Sequence, residues 1–374
     1  MDSYIFDGEY LLVAEDGENL KSRKQNIANI AKGKFWVNNH AHILLNNDLS
    51  DLYYLYYYLN SIDISGYITG SVQPKLSKAN LNAISIFLPP LTEQKCISRV
   101  LKSLDDKIEL NNAINKNLEE MAQALFKRWF VDFEFPNENG EPYKSSGGEF
   151  EESELGMIPK GWKICTLSEL CDISNVSVNP SAFPDFQFEH YSLPAFDDGK
   201  MPVIELGSDI KSNKYRVSKH SILVSKLNPQ TKRIWRPYCL TQNAICSTEF
   251  INFIPIHKEL YSLCYALLNS DNFYQYLISN TTGSTNSRQR VNPRGALNFI
   301  FVYPDIKMII KFCNVVSNIY EKINGNILQN KNLADIRDTL LPKLMSGEIR
   351  VPVEQGNSAL ELPMVAESRE KYQP

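Results

Sequence analysis

The apolar residues of one long segment recur with the spacing of a coiled-coil helix. From Thr92 to Phe130 the chain contains neither glycine nor proline, and Thr92 is an acceptable N-cap. Within this segment, apolar or small residues and two asparagines recur at alternating spacings of four and three. The positions are 97, 101, 104, 108, 111, 115, 118, 122, 125 and 129. The pattern predicts a single helix, about 55 Å long, with one buried seam.

The same helix pattern occurs again near the C-terminus. Residues 319–340 match residues 104–125 without a gap at a constant offset of 215, so that Lys107 corresponds to Lys322. We therefore predict two long antiparallel helices that bury their seams on each other, with facing asparagines that fix the register. The residues predicted to pair the helices are Leu104, Ile108, Asn111, Asn115, Leu118, Leu125, Ile319, Ile323, Asn326, Asn330, Leu333 and Leu340. A Leu-Pro step at 341 and 342 is expected to end or kink the second helix.

The internal repeat extends upstream of both helices. Residues 52–61 match 260–270, residues 81–90 match 297–304, and 10–13 match 221–224 at an offset of 211. The chain is thus predicted to be a globular domain plus a helix, twice. Because the second globular domain begins near Ile158, this offset would place the start of the first about fifty residues before Met1 (158 − 211 = −53), so the first domain is expected to be N-terminally incomplete.

These matches predict the domain organisation. Two α/β (α+β) domains are expected at 1–90 and 158–304, with the long helices at 91–135 and 305–346. The segment 136–157, rich in Gly, Ser, Pro and Glu, is predicted to be a linker, and 347–374 a C-terminal tail.

The composition is that of a folding chain. Of the 374 residues, 43% are hydrophobic and 22% charged, and the net charge of −4 excludes a uniformly basic nucleic-acid coat. Any DNA contact must therefore be confined to local basic loops. No apolar run approaches the roughly 18 residues of a membrane span, so we expect a cytoplasmic protein. The seven cysteines form no CxxC pair, which supports neither a disulfide framework nor a zinc site, and they are interpreted as buried thiols.

Two polar loops of the second globular domain have the composition of DNA contacts. Arginine can bind guanine through two hydrogen bonds, asparagine and glutamine can bind adenine, and an indole ring can stack on a base. A solvated surface loop is the alternative for each. The candidates are Lys226, Asn228, Gln230, Lys232, Arg233, Trp235 and Arg236 in 226–238, and Ser284, Asn286, Arg288, Gln289, Arg290 and Arg294 in 283–295.

The corresponding loops of the first domain carry a weaker signal. They lie at 18–26 and 70–78, and their candidates are Lys21, Arg23, Lys24, Ser71, Gln73 and Lys75. The tyrosine run at 53–58 recurs as a largely apolar segment in the second copy, which predicts a packed helix instead of a base-stacking surface. We expect replacement of Arg288 and Arg290 by alanine to weaken DNA binding more than replacement of Gln73 and Lys75.

Catalytic motifs are missing from the sequence. It contains no Gly-rich adenosylmethionine loop, no Asn-Pro-Pro-aromatic or Asp-Pro-Pro-aromatic motif, and no GxxxxGK[ST] phosphate loop. His40 and His42 lie two residues apart without a neighbouring Cys or carboxylate cluster, so they are interpreted as buried or edge histidines and no metal site is predicted. The chain is therefore expected to be a non-catalytic binding protein.

Four motifs resemble the specificity subunit of type I restriction-modification enzymes. They are LPPLTEQ at 88–94, FKRWFVDFEF at 126–135, ELGMIPKGWK at 154–163 and LLPKLMSGEIRV at 340–351. The resemblance implies two target-recognition domains held by antiparallel helices, each binding one half of a bipartite site in double-stranded DNA. It also implies two methyltransferase subunits that carry S-adenosylmethionine, together with restriction and translocase subunits. No cofactor in this chain and no membrane contact are implied.

Two other functions remain open from the residues alone. A non-catalytic helical-hairpin scaffold would bind proteins through its globular ends. A general DNA tether would use the basic loops without sequence selectivity.

Overall fold

The computed structural model describes residues 4–282 and 289–352, which fall into two compact units. Unit 1 is drawn from Met1–Leu110 and Gln329–Pro374, and unit 2 is Asn111–Leu328. Each unit therefore combines a globular part with portions of both long helices. Among the described residues, no helix is both long and apolar enough to cross a lipid bilayer.

Unit 1 is built on a three-stranded antiparallel sheet in the order β2-β1-β3. Its strands are β1 (Phe6–Ala14), β2 (Ala28–Phe35) and β3 (Ala41–Leu44). Strand β1 is central and alternates, so that Leu11 and Val13 are fully buried while Leu12 between them is half-buried. Leu11 lies opposite Ile30 of β2 and Leu44 of β3, which places apolar side chains on one face of the sheet.

Four helices accompany this sheet. They are α1 (Asn19–Ser22), α2 (Leu52–Ser61), α3 (Lys78–Ala83) and the start of α4 (Leu91–Phe130). Helix α2 begins at an N-cap, because the Asp51 carboxylate accepts a hydrogen bond from the Tyr54 amide. Its leucines pack in the sheet core, whereas Tyr54 and Tyr57 pack beside Ile97 of α4. The tyrosine run is thus a packed helix, as predicted.

Both long helices are present, with small differences at their ends. Helix α4 begins at Leu91 instead of after Thr92, since the Gln94 amide already bonds to the Pro90 carbonyl oxygen. Helix α9 (Ile306–Met345) continues through Pro342. The last turn persists because Leu344 and Met345 are buried in the core of unit 1.

The helices pair antiparallel within each unit. In unit 1, Arg337 Nη1 donates to Asp105 Oδ1 over 2.7 Å, and Arg350 bonds to Glu93. In unit 2, Asn326 Nδ2 donates to Asn115 Oδ1 over 2.8 Å, and the ring centroids of Phe130 and Phe312 are 4.9 Å apart. Later residues of α4 meet earlier residues of α9 in both, and none of the predicted seam positions is exposed. The predicted fold class is confirmed.

Unit 2 contains larger sheets. One sheet has five strands in the order β10-β9-β14-β11-β8, and a second has four in the order β13-β12-β15-β7. Three further sheets are strand pairs: β18-β6, β16-β17 and β4-β5. The residue ranges of all these strands follow. The bounds are β4 Phe150–Ser153, β5 Gly156–Pro159, β6 Lys163–Thr166, β7 Cys171–Ile173, β8 Ser177–Val178, β9 Gln187–Tyr191, β10 Val203–Leu206, β11 Lys214–Arg216, β12 Ile222–Ser225, β13 Ile234–Trp235, β14 Ala244–Cys246, β15 Phe250–Pro255, β16 Thr281–Thr282, β17 Arg290–Val291 and β18 Ile300–Tyr303. The helices are α5 Leu193–Asp197, α6 Tyr261–Leu268, α7 Asp271–Ser279 and α8 Pro293–Ala296.

The main core of unit 2 joins the four-stranded sheet, helix α6 and the long helices. Phe312 is fully buried among aromatic rings of α4. The segment predicted to be a linker has local structure, since Pro136 bridges to Pro142 and β4 pairs with β5. Just before it, the ring of Phe135 stacks on Trp162 at a centroid distance of 4.7 Å, which ties the start of this segment to the unit 2 core.

Candidate nucleic-acid interface

The two loops of unit 2 that were predicted to contact DNA lie side by side. The Asn228 amide donates to the Gln289 carbonyl oxygen over 2.9 Å, and the Val291 amide donates to the Lys226 carbonyl oxygen over 2.9 Å. Between these bonds, Leu227 and Arg290 form an antiparallel β-bridge. Backbone contacts thus join segments that are distant in sequence, which sequence reasoning did not predict.

Unit 1 contains the same arrangement. The Gly17 amide donates to the Pro74 carbonyl oxygen over 3.1 Å, and the Leu76 amide donates to the Glu15 carbonyl oxygen over 2.7 Å. Between these bonds, Asp16 and Lys75 form an antiparallel β-bridge. Residues 15–17 correspond to 226–228 at an offset of 211, and 74–76 correspond to 289–291 at an offset of 215. These are the offsets of the internal repeat itself. We call the paired segments the loop bridge of each unit, and Lys75 and Arg290 occupy equivalent positions in it.

A glycine shapes the turn that leads into the loop bridge of unit 1. Gly70 has a φ of +86°, and a Cβ atom at this position would lie 2.2 Å from the carbonyl oxygen of Gln73. A side chain therefore requires the turn to open. The close approach of the Gln73 carbonyl oxygen is a physical reason for a glycine at position 70.

The cations of both loop bridges are exposed and paired with carboxylates. Lys75 Nζ lies 3.1 Å from Glu15, and the Arg290 guanidinium donates to Glu249 over 3.0 and 3.2 Å. Each cationic side chain is 54% exposed. Such surface pairs contribute little stability, so an incoming phosphate or base edge can compete for the cation.

Several other candidates of unit 2 remain at the surface. Gln230 and Arg294 are exposed, and Lys226 is half-buried. Lys232 donates to the Asn269 carbonyl oxygen over 2.6 Å, and Arg233 forms two hydrogen bonds with Asp197 at 2.7 and 2.9 Å. These cations border the loop bridge but are held by neighbouring acceptors. Ser284, Asn286 and Arg288 lie outside the described residues.

Two candidates in the same loop are buried, which is contrary to the predicted DNA contact. Trp235 is 1% exposed, and its ring meets Tyr191 edge to face at 4.7 Å. Arg236 is 7% exposed, lies 4.6 Å from the ring centroid of Tyr320 and donates to that residue's carbonyl oxygen. Both side chains face inward because aromatic residues of unit 2 surround them. The polar composition of the loop did not indicate which of its side chains would point into the core and which would point to solvent.

The loops of unit 1 also contain one structural arginine. Arg23 Nη2 donates to the carbonyl oxygens of Leu59, Asn60 and Ile62 over 3.3, 2.9 and 3.2 Å, so it caps the C-terminal end of α2. Burial lowers the pKa of its guanidinium. Arg23 is therefore a helix cap in this structure, and its contact with DNA stays a prediction.

The remaining candidates of unit 1 stay at the surface. Lys21 Nζ donates to the Gly70 and Ser71 carbonyl oxygens over 3.1 and 3.3 Å, which ties the two loops together. Lys24, Ser71 and Gln73 are exposed. These side chains are placed where a polyanion can reach them.

Sequence reasoning missed a pair of equivalent tyrosines that bind carboxylates of α4. Tyr57 OH donates to Asp105 Oδ2, and Tyr265 OH donates to Glu119 Oε1, both over 2.6 Å. Burial is the main cause that raises the pKa of both hydroxyls far above the ordinary range, so both remain neutral donors. Each contact anchors the packed helix of its unit, α2 or α6, to α4. The repeat of 52–61 in 260–270 contained the signal, since it aligns these two tyrosines.

The histidines of unit 1 have local partners. His40 Nδ1 lies 2.7 Å from the Asp16 carboxylate, and His42 Nε2 lies 2.7 Å from the Leu76 carbonyl oxygen. Across residues 4–282 and 289–352, no group of three or more His, Cys, Asp or Glu side chains is arranged to hold a metal ion.

Comparison with known proteins gives one consistent family. Residues 1–120 match the model of the type I restriction modification DNA specificity domain. The chain is 28% identical over 325 residues to the type I restriction enzyme MjaIX specificity subunit of Methanocaldococcus jannaschii, covering 80% of this chain and 69% of that protein. It is 25% identical over 338 residues to the HindI specificity subunit of Haemophilus influenzae, covering 74% and 71%.

A solved structure agrees in fold. The crystal structure of the S subunit of a type I restriction-modification system from M. genitalium matches with a TM-score of 0.53 at 16% identity, covering 92% of this chain and 84% of that one.

Proposed function

We propose that this chain, which belongs to the family of type I restriction-modification specificity subunits, provides the DNA sequence recognition of a restriction-modification complex. The observation that carries the proposal is the loop bridge. It occurs in both units at equivalent residues and presents exposed polar and cationic side chains beside a backbone that is fixed by hydrogen bonds. A fixed backbone with variable side chains suits the recognition of base edges, because donors and acceptors must be held in place.

Each loop bridge would bind one half of a bipartite target in double-stranded DNA. In unit 2, Arg290 can form two hydrogen bonds with a guanine, and Gln289 beside it can bind an adenine. In unit 1, Lys75 supplies a point charge for a phosphate, and Gln73 supplies an amide. The two half-sites would therefore differ in sequence.

The rest of the complex would supply the chemistry. Two methyltransferase subunits would bind this chain and carry S-adenosylmethionine, and restriction and translocase subunits would complete the assembly in the cytoplasm. The sequence supports this division of labour, because it lacks the adenosylmethionine and phosphate-loop motifs that those activities use.

Selection from a pool of random double-stranded DNA tests the proposal. The full chain is incubated with its methyltransferase partner, and bound DNA is sequenced at two salt concentrations. We expect enrichment of two short sequence blocks at a fixed separation. Uniform, strongly salt-dependent binding would identify a general tether, and no binding at all would identify a protein scaffold.

A matched pair of variants sharpens the selection. Arg290→Ala should weaken the base preference within one of the two enriched sequence blocks. Lys160→Ala removes an exposed cation of the same unit, paired with Glu149 outside the loop bridge, and should leave both blocks intact. Equal effects of the two substitutions would contradict the assignment of recognition to the loop bridge.

A further inference from the structure

Each loop bridge includes a third segment of chain. In unit 2, the Lys226 amide donates to the Glu249 carbonyl oxygen over 3.0 Å, and in unit 1 the Glu15 amide donates to the His40 carbonyl oxygen over 2.9 Å. Glu249 immediately precedes strand β15, and His40 immediately precedes β3. These strands are equivalent, because they pair antiparallel with β12 and β1, which match at an offset of 211. Glu249 and His40 therefore occupy equivalent positions.

The acidic residue that binds the loop-bridge cation lies on different segments in the two units. In unit 1 it is Glu15, on the first segment, and the third segment carries His40, which is paired with Asp16. In unit 2 the first segment carries Lys226 at the equivalent position, and the acidic residue is Glu249 on the third. The same ion pair thus occurs twice although different positions supply its acid, which indicates a role for the pair itself.

Main-chain bonds, and not this ion pair, hold the loop bridge together. Two amide-to-carbonyl bonds and a β-bridge join the segments in both units. The cations are exposed, and ion pairs at exposed positions contribute little stability. The carboxylate should therefore act mainly on what the cation binds.

The carboxylate changes the electrostatic potential at the cation. Glu249 accepts from the Arg290 guanidinium over 3.0 and 3.2 Å, so at longer range the two charges largely cancel. The backbone of Glu249 is fixed, because its amide donates to Ser247 Oγ over 3.2 Å and its carbonyl oxygen accepts from Lys226. A phosphate is attracted to a cation mainly by charge, and the neighbouring carboxylate repels it. The edge of a guanine is neutral overall and binds through directed hydrogen bonds, so it loses less.

We propose that Glu249 and Glu15 are specificity-determining residues of the DNA site. Each carboxylate weakens the contact of its loop-bridge cation with DNA of arbitrary sequence, and Glu249 thereby favours a guanine as the ligand of Arg290. The inference rests on the proposed function, since it requires that the loop bridges bind DNA. It adds that acidic residues of this surface contribute to selectivity by lowering non-specific affinity.

Glu249→Gln tests this role, because it removes the charge and keeps the shape of the side chain. The full chain with its methyltransferase partner is titrated with random-sequence duplexes, and with a duplex enriched by the unaltered protein, over a range of salt concentrations. At low salt, affinity for the random duplexes should rise about three- to fivefold, and the slope of log affinity against log salt should steepen by about 0.9. Affinity for the enriched duplex should rise less, so the ratio of the two affinities should fall.

Two comparisons identify the cause of this change. Glu149→Gln removes an equal charge from an exposed carboxylate of the same unit, paired with Lys160 outside the loop bridge, and should leave the ratio of affinities unchanged. In the Arg290→Ala background, Glu249→Gln should have no more effect than Glu149→Gln, because the cation on which it acts is absent.

Unit 1 provides an independent test. Because a lysine binds phosphate as a point charge, Glu15→Gln should raise the affinities for random and enriched duplexes by the same factor, about three- to fivefold. A gain for neither duplex would overturn the proposal for unit 1.

Three results would overturn the proposal for unit 2. In the first, Glu249→Gln behaves as Glu149→Gln does although Arg290→Ala weakens the base preference, so that the proposed function stands without this role. In the second, Glu249→Gln weakens binding of both kinds of duplex and accelerates hydrogen exchange of the Asn228 and Val291 amides, which would make Glu249 a stabilising residue only. In the third, no sequence is enriched and Arg290→Ala leaves DNA binding unchanged, so that the proposed function fails as well.

Discussion

The two units keep one backbone arrangement and change the side chains around it. Both loop bridges are formed by the same pair of amide-to-carbonyl bonds flanking one β-bridge. At its long helices, unit 1 uses a charged contact in which Asp105 accepts from both Tyr57 and Arg337. Unit 2 instead pairs Glu119 with the hydroxyl of Tyr265 and the amide of Asn269. The comparison shows that the repeat preserves geometry more closely than chemistry.

The largest effect is expected from the charged contact of unit 1. Asp105→Ala leaves Arg337 with one fewer carboxylate and leaves the buried Tyr57 hydroxyl without its acceptor, which should cost about 2 kcal/mol. Hydrogen exchange of α2 amides measures the loss. Glu119→Ala in unit 2 should cost less at α6, because the two hydrogen bonds that Glu119 accepts there come from neutral groups.

Asp106→Ala is the matched control for Asp105→Ala. Asp106 is an exposed neighbour that pairs with Lys102 on the same helix, and such pairs contribute about 0.3–0.5 kcal/mol. If the two aspartate variants lost equal stability, the contact of Asp105 with Tyr57 and Arg337 would stabilise unit 1 no more than an exposed ion pair does.

The equivalent cations of the loop bridges should differ in their effect on DNA binding. Arg290→Ala should lose about 1–3 kcal/mol of binding free energy and relax specificity at one base pair, if it binds guanine through two hydrogen bonds. Lys75→Ala should weaken binding equally for all sequences, because a lysine contacts phosphate as a point charge. Titration of cognate and mismatched duplexes separates the two effects, and greater loss of selectivity in the Lys75 variant would reverse the expected order.

The helix cap of unit 1 should matter for stability and not for sequence selectivity. Arg23→Ala removes donors from three carbonyl groups at the end of α2, with an expected loss of about 1 kcal/mol. Hydrogen exchange at the last turn of α2 reports it. Lys24→Ala changes an exposed neighbour and should leave exchange unchanged while slightly weakening DNA binding. If Arg23→Ala instead weakened DNA binding and left exchange unchanged, Arg23 would be a DNA contact.

The smallest effect is expected in the pH dependence of the stability of unit 2. Burial lowers the pKa of His190 below its ordinary value of 6.5, against an opposing hydrogen bond with Glu205. The unfolded chain therefore binds the proton more readily, so stability is full above about pH 6.5 and falls as the pH decreases through that value. Urea unfolding monitored in unit 2 should show this slope, and His190→Gln should reduce it. His257→Gln, at an exposed histidine, should leave the slope as it is.

The sequence predicted the long helices well because their pattern depends on one periodic property. Burial at spacings of three and four residues is independent of the rest of the fold, so the seam positions of α4 from 97 to 129 and those of α9 from Ile319 to Leu340 could be identified in advance. Helix ends were less predictable. Pro342 lies inside α9 because burial of the residues that follow it outweighs the lost hydrogen bond.

Individual loop residues could not be assigned from the sequence, since their roles depend on tertiary contacts. Arg23, Arg236 and Arg290 look alike in polar loops, yet one caps a helix, one lies over a tyrosine ring and one is exposed. The internal repeat contained more information than loop composition, because its offsets of 211 and 215 relate the residues of one loop bridge to those of the other.

The loop bridge also has a consequence for how specificity can diversify. Its bonds involve only main-chain atoms, so most of its side chains can be exchanged without loss of the pairing, as Asp16 against Leu227 already illustrates within one chain. One position is restricted, because Gly17 and Asn228 both have positive φ, at 108° and 48°. Natural variation should therefore be broad at the neighbours of this position and confined at the position itself to glycine, asparagine and aspartate, so that new DNA targets can arise on an unchanged backbone.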